Sequence, residues 1–120
     1  MENLKVNFMI DKIQEELDKK ANSENYKDRE FAAEQSLISM KTLIKLSEDE
    51  NECVRIAVVR NPMIPPFLLH ELSNDKSVLV RKSIAENDMI HEITLGKLLE
   101  DSNEEVRTLA NKKLKEMRNS

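Results

Sequence analysis

Apolar residues along this chain recur three and four positions apart in short clusters, with polar turns between them. Val54, Ala57 and Val58 fall on one side of a helix, as do Val80, Ser83 and Ile84. Asn61-Pro62 closes the first of these clusters, because proline disfavours helical geometry at the residue before it. A second cluster follows each time: Phe67, Leu68, Leu69 and Leu72, then Ile93, Leu95, Leu98 and Leu99. Pro65 and Pro66 stand where such a helix begins, a place that tolerates a missing N–H. Asn51, Ser77 and Asn103 precede the first clusters and suit N-caps, whose side chains accept from an orphan backbone N–H. The pattern predicts pairs of short helices.

The pairs repeat. Residues 46–71 laid over 72–97 share nine identities at an offset of 26 residues. Leu98, Asp101, Asn103, Val106 and Arg107 continue the register. Asn25, Arg29, Ala33, Ile38 and Leu43 open it in a weaker form, with Ser23 in the aspartate's place. A single domain over 1–120 is expected, made of an N-terminal helix (1–19), a degenerate repeat (20–45), two full repeats (46–71 and 72–97) and a truncated C-terminal repeat (98–120). Helices of about 7–10 residues are marginal alone and need stacked neighbours, which predicts an all-α solenoid.

The ends differ from the repeats. Residues 3–20 place Val6, Met9, Ile10, Ile13 and Leu17 at helical spacing among Glu15, Glu16, Asp18, Lys19 and Lys20. This amphipathic helix is expected to cap the first repeat. The same spacing fits about two heptads, so a homodimer through the N-terminal helix is the alternative. At the other end Lys112, Lys113, Lys115 and Arg118 suit the negative end of a helix dipole, or else form a basic contact patch.

The pairs Val54-Arg55, Val80-Arg81 and Val106-Arg107, with Asn61-Pro62, Pro65, Leu69, Leu72 and Asp75 between them, resemble the leucine-rich repeat variant family. That family is a short relative of the HEAT and armadillo type of helical repeat. The likeness covers residues 46–111 well, 20–45 weakly and 1–19 not at all. Asp88 and His91 stand where the first full repeat has Pro62 and Pro65. The resemblance implies a right-handed superhelix of HEAT-like helix pairs, some of them 3₁₀, and no catalytic activity. Some relatives carry a cysteine cluster for an iron–sulfur centre, which Cys53 alone does not supply.

Composition narrows the chemistry further. Charged residues are 35%, aromatics only 3%, and the net charge is −4, which argues against non-specific nucleic-acid binding. The single glycine, Gly96, excludes a Walker loop and a Rossmann fingerprint, which need two and three glycines. No intramolecular disulfide is possible, and one free thiol fits a cytoplasmic setting. No apolar run is long enough to span a bilayer, so no membrane partner is expected. The lysine, asparagine and isoleucine content suggests a bacterial or mobile-element origin.

Asp49, Asp75 and Asp101 recur with Arg29, Arg55, Arg81 and Arg107. Residues that return in every unit suit a structural ladder of charge-assisted hydrogen bonds better than a unique active site. His70 and His91 occupy different repeat positions and are expected at solvated or edge positions rather than around a metal. Cys53 is expected near the surface, and Met63 and Met89 in turn packing. Positions that vary while the scaffold holds are the recognition candidates: Arg60, Phe67, His70, Lys82, Glu86, His91 and Glu92. The expected function is a non-enzymatic interaction module without cofactor, catalytic or metal site, binding a protein through its solenoid surface. The alternative is a nucleic-acid-associated HEAT-like protein with a local basic patch.

Overall fold

A computed structural model describes residues 2–119. Among them are eight α-helices and no strand: α1 (Glu2–Ala21), α2 (Tyr26–Ala33), α3 (Met40–Leu46), α4 (Glu52–Val59), α5 (Pro66–Leu72), α6 (Val78–Ala85), α7 (Glu92–Leu98) and α8 (Glu104–Arg118). All are α-helical, including the short ones for which the family resemblance admits 3₁₀ geometry. None is long and apolar enough to cross a membrane.

Local chemistry sets the boundaries. Asn25 and Asn51 accept from the N–H groups of Lys27 and Cys53 at 2.9 and 2.8 Å. Ser77 and Asn103 accept from Val80 and Val106 at 3.4 and 3.1 Å. These are the N-caps of α2, α4, α6 and α8, and each satisfies one donor that its helix leaves over. Pro65 and Pro66 start α5, and α4 stops at Val59 ahead of Asn61-Pro62.

The chain falls into two compact units, Met1–Met63 and Ile64–Ser120. In the first, α2 packs against α4 and α1, with α3 touching all three. Leu17, Ala32, Leu43, Leu46, Val54 and Val58 are buried there. Asn61 locks this unit: its Nδ2 donates to the carbonyls of Ala33 (2.8 Å) and Gln35 (2.9 Å), and its Oδ1 accepts from Met63 N–H (2.7 Å). Those carbonyls lie at the end of α2, where the helix has no partner of its own for them.

In the second unit α6 packs on α8, and α7 lies against both. Leu68, Leu69, Ile84, Leu95, Leu98 and Val106 form an aliphatic core. Lys113 belongs to this interior rather than to a C-terminal basic patch. Its side chain is 10% exposed and its Nζ lies 2.7 Å from Asp88 Oδ1. Lys112, Lys115 and Arg118 stay exposed, so the predicted cluster loses one of its four cations.

The N-terminal helix also departs from expectation. Of its apolar stripe only Leu17 is buried, with Ala21 one turn on. Val6, Met9 and Ile13 are 52, 62 and 40% exposed. Length is the reason. α1 has 20 residues, while α2 and α3 have 8 and 7. Those lengths correspond to roughly 30 Å against 10–12 Å. Gln14 Nε2 donates to the Leu37 carbonyl at 3.1 Å, and upstream of that contact the stripe is left largely uncovered.

Candidate interaction surfaces

Three arginines make one recurring contact. Arg55, Arg81 and Arg107 each donate from one terminal nitrogen to the backbone carbonyl of Asp49, Asp75 and Asp101, all at 2.7 Å. Each of these aspartates also accepts, at 2.9 Å, from the N–H two residues on: Asn51, Ser77 and Asn103. The aspartate therefore shapes the turn that presents the next N-cap.

Bidentate pairs join other elements. Arg29 reaches Asp49 at 2.8 and 3.2 Å, and Arg81 reaches Asp101 at 2.9 and 3.4 Å. The hydrogen bond to Asp49 raises the Arg29 pKa, with burial opposing it. Arg29 also donates to the carbonyls of Ser23 and Glu24 at 2.9 and 3.0 Å, in the turn before α2. These groups hold turns and helix starts together. Among the described residues no three of His, Cys, Asp or Glu gather around a metal position.

The seven recognition candidates are divided between the two units. Arg60 is exposed at the end of α4 in the first unit. In the second unit Lys82 lies on α6, and its Nζ meets Glu105 Oε2 of α8 at 2.6 Å. That bond and the attraction behind it raise the Lys82 pKa and lower that of Glu105. Glu86 is the exposed C-cap of α6. Phe67 and His70 sit on α5, with His91 and Glu92 exposed at the start of α7.

His70 is not at a solvated edge. It is half-buried, and its Nδ1 lies 2.9 Å from Thr94 Oγ1, where it ties α5 to α7. Lys97 and Asn74 bond across the same seam. Cys53 is exposed.

Several large apolar side chains stand exposed. Phe67 and Ile93 are the second residues of α5 and α7, and they are 51 and 79% exposed. Met89 precedes α7 and is 66% exposed, and Met63 in the first unit is 65% exposed. Both methionines were expected inside turns. The turns close instead through Asn61 and Asn87, whose Oδ1 atoms accept from the methionine N–H groups at 2.7 Å. The methionine side chains are thereby left outside.

Sequence reasoning missed Met89 and Ile93 as surface residues. A usable signal was present: Leu37, Met63 and Met89 are apolar residues spaced 26 positions apart, each in a turn that itself requires none.

Two surface grooves lie apart from these side chains. One, of about 310 Å³ in the first unit, runs between Ile13 and Leu17 of α1 and Phe31 of α2. The other, of about 340 Å³ in the second unit, lies between α7 and α8 over Leu95, Gly96 and Leu114. Both are open; the first is apolar, whereas Glu92 and Arg118 stand beside the leucines of the second. No protein-family model matches the chain, and no curated protein or solved structure matches it either.

Proposed function

We propose that this chain is a cytoplasmic, non-enzymatic interaction module that binds another protein. In this reading it is a right-handed α-solenoid of 26-residue, HEAT-like helix pairs, similar to the leucine-rich repeat variant family. The N-caps at Asn25, Asn51, Ser77 and Asn103 support the register, as do the matching bonds of Arg55, Arg81 and Arg107.

One observation carries the function: Phe67 and Ile93 stand 51 and 79% exposed on two helices bridged by His70 and Thr94. Large apolar groups exposed at a surface gain roughly 25 cal/mol per Å² when a partner covers them. The net charge of −4 favours a partner with basic character.

The test is retention of a native partner by the immobilised chain after nuclease treatment, compared with the double substitution Phe67→Asp and Ile93→Asp. A specific protein held by the wild type and lost by the double variant supports the reading, provided both show the same helical signal and melting midpoint. Capture of nucleic acid that survives about 200 mM salt and depends on Lys112, Lys115 or Arg118 replaces it with the nucleic-acid alternative.

A further inference from the structure

The uncovered side of α1 carries an ordered alternation of charge. Glu2, Lys5, Met9, Ile13, Glu16 and Lys20 follow one another at steps of three or four residues, so they form one stripe along the helix. All six are exposed. Read from either end, the stripe places an acid opposite a base: Glu2 against Lys20, Lys5 against Glu16, Met9 against Ile13. Two copies laid antiparallel satisfy every one of these pairs, and each pair occurs twice. A parallel arrangement in register sets like charge against like.

We propose that the first unit self-associates through α1 as an antiparallel, two-fold dimer. Met9, with Val6 beside it, seats in the groove that Ile13, Leu17 and Phe31 form on the other copy. The ion pairs of Glu2 with Lys20 and of Lys5 with Glu16 flank that contact and set its register. Lys20 lies 5.3 Å from the Phe31 ring centre, at the rim of the groove. Lys12 is drawn over the Phe8 ring on its own helix, 5.4 Å away, and Lys19 pairs with Glu16 of its own helix at 3.2 Å, an exposed contact that leaves the second Glu16 oxygen for Lys5 of the other copy. The contact is isologous, and it closes at two copies rather than growing into a filament. This proposal goes beyond the protein-binding reading and stands on a different surface, so either can fail without the other.

A single helix pair of about 27 Å buries less than the roughly 800 Å² per partner of a standard interface, so the dimer is a weak one. Sedimentation equilibrium of the purified full chain reads it directly. The mean mass is expected to rise from one copy to two between about 1 and 100 µM, a range that matches such a contact. Met9→Glu abolishes the rise, and Lys5→Glu weakens it at least tenfold. Adding Glu16→Lys to Lys5→Glu restores it, because the reversed charges meet again across the two-fold. Orientation is read in a Cys53→Ser background, where chains with Met9→Cys cross-link to chains with Ile13→Cys in preference to their own kind. These side chains are exposed, and an unchanged circular dichroism spectrum shows that each variant folds. A mass of one copy throughout that range, a dimer indifferent to Met9→Glu, or no recovery in the charge swap overturns the proposal.

Discussion

Replacing Asn61 tests the fold at its most constrained polar residue. The side chain is 2% exposed and makes three hydrogen bonds, to the carbonyls of Ala33 and Gln35 and from the N–H of Met63. A net hydrogen bond contributes about 1 kcal/mol, and a buried polar group left without a partner costs about 1–3 kcal/mol. Gln35 is half-buried, so water can reach its carbonyl, whereas Ala33 is fully buried. Asn61→Ala is therefore expected to destabilise the first unit by about 3 kcal/mol.

Urea unfolding followed by circular dichroism measures that loss as a lower midpoint at unchanged slope. Asn61→Asp sharpens the test. A carboxylate there faces two carbonyl oxygens, which disfavour its charge and raise its folded pKa above the unfolded value of about 3.9. A raised folded pKa gives stability that is present below the unfolded pKa and lost as pH rises through the folded one. The Asn61→Asp chain should thus be weakest near neutral pH and recover in acid, relative to wild type. A cost below about 1 kcal/mol for Asn61→Ala, or a flat pH profile for Asn61→Asp, would refute the assigned bonding.

Arg81→Ala strips both bonds from Asp101, whose side chain is 8% exposed, and one from the Asp75 carbonyl. A loss of about 2–3 kcal/mol is expected by thermal denaturation, with Arg81→Lys recovering part of it, since lysine keeps the charge without the two-pronged geometry. The hydrogen bond from Lys113, and then its charge, hold the Asp88 carboxyl below its ordinary pKa. A depressed folded pKa contributes stability above the unfolded value, about 3.9, that disappears as pH falls through the folded one. The melting-temperature advantage of wild type over Asp88→Asn should accordingly be small at pH 7, because Asp88 is exposed, and vanish as pH falls through the lowered folded pKa.

Helix identity and helix starts were legible in the sequence because their causes are local. Asn25, Asn51, Ser77 and Asn103 cap helices through atoms two or three residues away, and Asn61-Pro62 stops one through sterics at adjacent residues. The bonds of Arg55, Arg81 and Arg107 to the carbonyls six residues upstream are local as well.

What the sequence could not decide is which apolar face another element reaches. Val6, Met9 and Ile13 carry the same helical spacing as Leu17, yet α2 and α3 are too short to cover them. His70 and Lys113 look like surface residues until Thr94 and Asp88, 24 and 25 positions away, supply their partners. Met89 looks like turn packing until Asn87 closes the turn and leaves its side chain in solvent. Periodicity states which side chains share a face. Only the lengths and placement of neighbouring helices decide whether that face is filled.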